Sequence, residues 1–213
     1  MRGTRPHARQ CRHAPPTRRS PVRRTTTAPH EVRNIGGQWS RTKLRVADKP
    51  GLRPTPDRVR ETLFNWLGQD LTGWRVVDAF AGTGALGLEA ASRGAADVLL
   101  VEQDATLAAG LRALKERLKA DAVRVQRGDG VAALGAQAPG SVDLVLLDPP
   151  FEAPALFAPA LAAAARALQP QGFVYLEAPA AWDDAALIDS GLAIHRHLKA
   201  GAVHAHLLKR ARA

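Results

Sequence analysis

The sequence Asp148-Pro149-Pro150-Phe151 has the side chains and the backbone to hold an amine. Two consecutive prolines fix the chain in an extended geometry and carry no amide hydrogens, so the local backbone offers carbonyl oxygens as acceptors. The Asp148 carboxylate and the Pro149 carbonyl would accept the two N–H bonds of an exocyclic amine, orient it and offset the charge that grows as it attacks an electrophile. Phe151 would stack on the base that carries the amine. A proline turn after a buried strand, with an incidental aspartate, is the alternative interpretation.

A glycine-rich loop precedes this motif in the sequence DAFAGTGALGLEA, which begins at Asp78. Gly82 and Gly84 follow a predicted strand and open a predicted helix, where backbone amides can approach a ligand at the helix N-terminus. No G-K-[ST] sequence follows to hold a triphosphate. The Asp78 carboxylate beside the loop suits a cationic amino-acid group better than a pyrophosphate.

Two further acids follow predicted strands. Glu102 ends the second strand, 20 residues after Gly82, where an acid can accept hydrogen bonds from both hydroxyls of a ribose. Asp129, in the sequence RGDG, ends the third strand. Its side chain or the next amide would contact an adenine edge, although a turn-forming Asp-Gly pair gives the same letters. The position of Glu102 therefore predicts a ligand that contains a ribose.

Alternating apolar runs and helical patterns must position these residues. The runs RVVDAF, DVLLVE, AVRVQ, VDLVLLD and GFVYLE are typical of strands covered on both faces of a parallel sheet. Helical patterns lie between them, at residues 85–93, 105–119, 131–136 and 155–168. This alternation predicts a doubly wound α/β sheet. The last two runs, LAIHRHLKAG and AVHAHLLKR, predict an antiparallel hairpin at the end of that sheet.

A small extension is predicted before the first strand of the sheet. The pattern VRNIGGQWSRTKLRV predicts two short extended pieces, and GLRPTPDRVRETLFNWLG predicts a helix. Thr55 stands at the N-cap position of this helix, Pro56 in its first turn and Gly68 after its end. The basic side chains Arg58 and Arg60, with Arg53 just upstream, either contact a polyanion or lie on a solvated face.

Positive charge is concentrated at the N-terminus. The chain has a net charge of +10, and residues 1–33 contain nine arginines against one acid, Glu31. Such basicity favours polyanions, so nucleic acid is the expected partner. Residues 1–31 have too few aliphatic side chains to offset the entropy of ordering, and we predict that they are disordered. A transit peptide, or translation that begins near Val22 or Val32, is the alternative.

Composition excludes several other classes of protein. Cys11 is the single cysteine, so the chain has neither an internal disulfide nor a cysteine-based zinc site. No apolar run reaches about 18 residues, which predicts a cytoplasmic protein with no membrane partner. We also expect no metal. We expect three parts: a tail (1–31), a hairpin and helix extension (32–73) and a catalytic domain (74–213).

Four sequence segments, in this order and spacing, resemble the RsmD-type methyltransferases, which modify the N2 amine of a guanine in 16S ribosomal RNA. They are RPTPDRVRETLFNWL, DAFAGTGALGLEAASRGA, VEQD and DPPF. The glycine loop and DPPF also occur in the wider group of amino-methyltransferases, whereas the segment from GGQW to DRVRETLFNWL narrows the resemblance. The similarity extends from about Val32 to the C-terminus and implies a Rossmann-like seven-stranded fold that binds S-adenosylmethionine.

The resemblance also implies roles for individual residues. Contacts with S-adenosylmethionine would come from Asp78, Ala81, Gly82, Gly84, Glu102 and Asp129. Asp148, Pro149 and Phe151 would meet the target base. Arg53, Thr55 and Arg58 would lie near the cofactor or the RNA entrance. The expected substrate is 16S ribosomal RNA within the small subunit or its assembly intermediate.

Two other functions remain open from the sequence. An adenine-N6 methyltransferase of DNA or RNA would use the same acceptors at Asp148. A non-catalytic ribosome-assembly factor with a vestigial site is the alternative from another class, although the intact Asp148, Glu102 and glycine loop argue against it.

Overall fold

A seven-stranded β-sheet forms the centre of the structure, a computed structural model that describes Met1, residues 31–45 and residues 55–211. The strands, in chain order, are β1 (Glu31–Arg33), β2 (Lys43–Arg45), β3 (Arg75–Asp78), β4 (Asp97–Glu102), β5 (Val123–Arg127), β6 (Val142–Leu147), β7 (Leu168–Ala178), β8 (Leu192–Ala200) and β9 (Val203–Arg210). The large sheet has the order β5-β4-β3-β6-β7-β9-β8, and β1 and β2 pair separately. Strands β3 to β7 are parallel, whereas β9 is antiparallel to both neighbours. The predicted doubly wound sheet and its C-terminal hairpin are confirmed.

Helices cover both faces of this sheet. They are α1 (Asp57–Leu67), α2 (Ala85–Ser92), α3 (Ala105–Leu118), α4 (Gly130–Gly135), α5 (Phe157–Ala167) and α6 (Asp184–Leu187). Helices α1 to α3 contribute to one apolar cluster and α4 to α6 to the other. Alternate residues of a strand enter opposite clusters: Leu146 belongs to the first and Leu147 to the second. This two-sided burial explains why the parallel strands are continuous apolar runs.

The β1–β2 hairpin is held against α2 by buried polar groups. The Glu89 carboxylate accepts the Ile35 and Gly36 amides, each at 2.7 Å. The Ser92 hydroxyl donates to the Gly36 carbonyl at 2.7 Å and accepts the Trp39 amide at 2.9 Å. Glu89 and Ser92 are both buried, so these bonds are made where water does not compete for them.

Arg60 is fully buried, so neither expectation for its side chain, contact with a polyanion or a solvated position, is correct. Its Nη2 atom donates to the Arg33 carbonyl at 2.8 Å and to Asp57 at 2.6 Å. Its Nη1 atom lies 3.6 Å from the buried Glu89 carboxylate. A charge can be buried when it is paired in this way, and the helical pattern alone did not reveal the partner.

Replacing Ser92 by alanine is expected to lower the free energy of unfolding by about 2 kcal/mol, because the Trp39 amide and the Gly36 carbonyl lose their buried partner. Ser40 supplies a matched control in the same hairpin: its exposed hydroxyl donates to the Ile35 carbonyl at 3.0 Å, and its replacement is expected to cost less than about 0.5 kcal/mol. Urea unfolding of both variants measures the difference. Equal losses would contradict the role given to Ser92.

The starts of α1 and β7 differ from the prediction. The helix α1 has Pro56 at its N-cap and no side-chain cap, so the N-cap role predicted for Thr55 is wrong. The Thr55 hydroxyl donates instead to Glu177, because a buried hydroxyl beside a carboxylate gains more from that acceptor than from a neutral carbonyl. The strand β7 begins at Leu168, earlier than the apolar run GFVYLE indicates.

Candidate active site

Three carboxylates lie together at the carboxyl edge of the sheet. Asp78 ends β3, Asp148 follows β6, and Glu177 is next to last in β7. Strand β6 lies between β3 and β7. Leu147 pairs with Leu176. The residues that follow them, Asp148 and Glu177, therefore lie side by side where β6 and β7 are adjacent. Ligands of doubly wound sheets bind at this edge.

Asp78 is buried and only partly satisfied. Its Oδ2 atom accepts the Gly87 amide at 3.0 Å, whereas its Oδ1 atom is enclosed and has no hydrogen-bond partner. Burial raises the pKa of Asp78 to about 7, against the lowering effect of the Gly87 and Phe80 amides. An enclosed carboxylate oxygen without a donor is the position that a cationic group of a ligand would satisfy.

The glycine loop brings backbone close to this carboxylate. Gly82 and Gly84 have positive φ values of 51° and 79°, which favour glycine over residues with a side chain. Gly82, Gly84 and Gly87 also have the G-x-G-x-x-G spacing of dinucleotide-binding loops, so spacing alone does not identify the ligand. The neighbouring Asp78 carboxylate disfavours a pyrophosphate.

The Glu102 carboxylate organises the loop. Its Oε2 atom accepts the Gly82 amide at 2.8 Å and its Oε1 atom accepts the Asp104 amide at 2.7 Å. Each carboxylate oxygen has a second lone pair, so these bonds leave acceptor capacity for the hydroxyls of a ribose. Ala81 is buried, and its amide donates to the Val101 carbonyl at 2.9 Å.

Asp129 is the N-cap of α4, where its Oδ1 atom accepts the Ala132 amide at 2.7 Å. The strand β5 ends at Arg127, so Asp129 does not end the strand as predicted, and the structure gives its side chain a capping role. The next residue, Gly130, lies against β3: a Cβ atom at this position would stand 2.0 Å from the Ala79 carbonyl oxygen. The close approach requires glycine here.

Asp148 is half-buried and Pro149 is buried, whereas Pro150 is exposed. The pKa of Asp148 is raised well above its usual range, first by burial and then by the charges of Glu177 and Asp78. Phe151 is half-buried and packs against the apolar cluster of α4 and α5. The motif therefore presents a basic carboxylate beside a partly exposed ring.

Glu177 was not predicted from the sequence. Its Oε1 atom accepts the Thr55 hydroxyl at 2.7 Å and the Tyr175 hydroxyl at 2.9 Å. Both Glu177 and Tyr175 are buried, and burial raises the pKa of Glu177. The available signal was the acid at the end of GFVYLE, which matches the position of Glu102 at the end of DVLLVE.

The three residues predicted at the RNA entrance have different positions. Thr55 is buried and joins the site through Glu177. Arg58 is exposed on α1. Arg53 lies outside the described residues.

Within residues 31–45 and 55–211, no group of three or more His, Cys, Asp or Glu side chains could hold a metal ion. In the same ranges, no helix combines the length and apolar character needed to span a membrane.

The fold and sequence can be compared with known proteins. The chain is 49% identical over 121 residues to ribosomal RNA small subunit methyltransferase D of Escherichia coli, a match that covers 57% of this chain and 61% of the relative. It is 42% identical over 130 residues to the Haemophilus influenzae protein of the same name, covering 60% and 67%. These matches span about two thirds or less of the relatives' lengths.

Solved structures match over a longer range. The structure of yhhF from Escherichia coli, a proposed methyltransferase, has a TM-score of 0.72 and 34% identity, and the match covers 85% of this chain and 99% of that one. The Haemophilus influenzae protein HI0767, a proposed methylase, has a TM-score of 0.69 and 29% identity, with 86% and 100% covered. The family described as conserved hypothetical protein 95 matches residues 32–209. The chain therefore belongs to that family, which confirms its resemblance to the RsmD-type methyltransferases.

Proposed function

We propose that this chain transfers a methyl group from S-adenosylmethionine to the exocyclic N2 amine of a guanine in 16S ribosomal RNA. The observation that carries the proposal is the position of Asp148: it precedes two prolines at the end of β6, next to the strand β3 that ends in Asp78 with its unpaired oxygen. The names of the relatives, small subunit methyltransferases of ribosomal RNA, support the choice of substrate.

The residues at the edge of β3 and β4 fit this cofactor. When bound, S-adenosylmethionine supplies an electrophilic methyl group on a sulfonium and carries an amino-acid ammonium, a ribose and an adenine. The unpaired Asp78 oxygen suits the ammonium, and Glu102 keeps lone pairs for ribose hydroxyls. The backbone of Ala81, Gly82 and Gly84 would line the cofactor, and the Asp129 segment would contact the adenine.

Asp148, Pro149 and Phe151 would act on the guanine. The N2 amine is conjugated to the purine ring and is a poor nucleophile, so its orientation matters. Asp148 and the Pro149 carbonyl would accept its two N–H bonds, and Phe151 would stack on the ring. As the N–CH₃ bond forms and the S–CH₃ bond breaks, the nitrogen becomes positive. Asp148 can take the released proton, because its raised pKa makes it a stronger base than an exposed aspartate.

The guanine must be accessible for this chemistry. An N2 amine inside a paired helix is not free to attack, so we expect an unpaired or flipped guanine. The proposed substrate is the RNA of the small ribosomal subunit or its assembly intermediate, and the proposed location is the cytoplasm, where that RNA is found.

Replacing Arg58 by alanine is expected to weaken binding to small-subunit RNA about fivefold and to lower the salt slope of log K by about 1, because one phosphate contact is lost. Arg58 is exposed on α1. Arg112, exposed on α3, supplies the control substitution Arg112→Ala. Titration of labelled RNA at several salt concentrations measures both quantities. An unchanged slope in Arg58→Ala would remove this residue from the interface.

The test of the proposed function is methyl transfer from labelled S-adenosylmethionine to small subunits that lack the modification, followed by digestion of the RNA to nucleosides. Labelled N2-methylguanosine is the expected product. Labelled N6-methyladenosine would instead establish an adenine methyltransferase. Binding of the cofactor without any transfer to RNA would contradict the proposal and favour an assembly factor.

A further inference from the structure

Among the described residues, hydrogen-bond donors reach only one of the two oxygen atoms of the Glu177 carboxylate. Oε1 receives both the Thr55 and the Tyr175 hydroxyls, whereas none of the described residues donates to Oε2. Unlike the Asp78 Oδ1 atom, the Oε2 atom is not fully enclosed by the protein. Two donors on one oxygen orient the carboxylate, and they oppose in part the burial that raises its pKa. The arrangement leaves Oε2 as an oriented acceptor.

This acceptor lies beside Asp148. The parallel pair β6 and β7 is in register at Leu147 and Leu176, and adjacent strands are about 4.8 Å apart. The charge of Glu177 raises the pKa of Asp148, as expected for neighbouring carboxylates at one edge of the sheet. Two neighbouring strand ends thus present a pair of hydrogen-bond acceptors to one ligand.

A pair of acceptors matches one edge of guanine and not the edge of adenine. Guanine presents its N1–H and its N2 amine side by side as donors, whereas adenine presents an amine next to N1, which is itself an acceptor. A carboxylate facing the adenine N1 would place two acceptors against each other and leave both unpaired. Sites of this kind reject the wrong analogue strongly.

We propose that Glu177 determines the base specificity of this site, its Oε2 atom accepting the N1–H of the target guanine while Asp148 accepts from the N2 amine. The inference rests on the proposed function and extends it, because it assigns the choice of guanine to a residue outside the Asp148–Phe151 motif. Thr55 and Tyr175 are positioning residues that act through Glu177.

The test compares guanine with 2-aminopurine at the methylated position of the RNA, since 2-aminopurine keeps the N2 amine but has an acceptor at N1. Wild-type protein is expected to prefer guanine in kcat/KM by about 100-fold. In Glu177→Gln the preference is expected to fall to about tenfold or less, because the carboxamide can donate to N1 of 2-aminopurine. Glu61→Gln, an exposed substitution on α1, is expected to keep the wild-type preference.

A second variant keeps the test independent of folding. Tyr175→Phe retains the carboxylate but removes one of its two donors, and the preference for guanine is expected to fall at least about threefold. Binding of S-adenosylmethionine with wild-type affinity verifies the fold of each variant. An unchanged preference in a folded Glu177→Gln or Tyr175→Phe protein would overturn the inference. If the wild-type protein methylates no guanine, the proposed function itself fails.

Discussion

Replacing Asp148 by alanine is expected to lower kcat about 10³-fold while the dissociation constant of S-adenosylmethionine changes less than about threefold. The carboxylate would act on the amine alone: it accepts an N–H bond, offsets the developing charge and takes the proton, and effects of this kind reach about 10² to 10⁴ in rate. Single-turnover methyl transfer to small-subunit RNA measures the rate constant of the chemical step, in which the same loss is expected. A loss below about tenfold would remove Asp148 from the reaction.

The substitution Asp148→Asn separates the two roles of the carboxylate. The amide keeps an acceptor oxygen for the N–H bond but has neither the negative charge nor the ability to take a proton. We therefore expect a loss between wild type and Asp148→Ala, about 10- to 100-fold. Asp121→Asn, an exposed substitution after α3, is the control and is expected to retain full activity. A loss equal to that of alanine would assign the effect to charge and proton transfer alone.

The strands that place Asp148 and Asp78 were predictable because each apolar run indicates both a buried strand and the point where that strand ends. The run VDLVLLD is apolar on both sides of the strand, and Leu146 and Leu147 do enter opposite clusters of the core. Such a run must end at the edge of a covered parallel sheet, so the residue after it reaches the ligand crevice. The glycine loop was also predictable, because the positive φ values at Gly82 and Gly84 favour glycine at these positions.

Contacts between distant segments were not predictable in the same way. Thr55 stands 122 positions from Glu177, the acceptor of its hydroxyl. A local pattern gives Thr55 the N-cap of α1, and it gives Arg60 a place on an exposed surface. Both assignments were overridden by a buried partner from another element, which no helical or strand period reveals. Glu177 was overlooked for the same reason, because its role depends on which strand lies beside β6.

The position of Asp78 implies a conflict between stability and binding. Its pKa of about 7, against an ordinary value of 3.8, means that the folded protein without cofactor keeps a proton that the unfolded chain has released. The free energy of unfolding therefore falls as pH rises from about 4 to about 7, and the ionised form costs up to about 4 kcal/mol above that range. The acceptor is retained although the fold would be more stable without its charge.

Replacing Asp78 by asparagine is thus expected to have opposite effects on binding and on stability. At about pH 8 the dissociation constant of S-adenosylmethionine should rise about 100-fold, because the ammonium loses a buried anionic partner. The cofactor-free variant should unfold at a higher urea concentration than wild type, since the neutral amide avoids the cost of a buried charge. Calorimetric titration and urea unfolding measure the two effects, and Asp97→Asn, in an exposed ion pair with Arg124, is the control.

The pH dependence makes this prediction specific to ionisation. At about pH 6 wild-type Asp78 is itself mostly protonated, so binding by wild type should weaken as pH falls through about 7, and the difference from Asp78→Asn should shrink. The variant's advantage in stability should shrink over the same range, because both proteins then bury a neutral group. If Asp78→Asn binds the cofactor as tightly as wild type at about pH 8, the unpaired Oδ1 atom does not receive the ammonium. The stability lost by burying the ionised Asp78 carboxylate would then have no explanation in ligand binding.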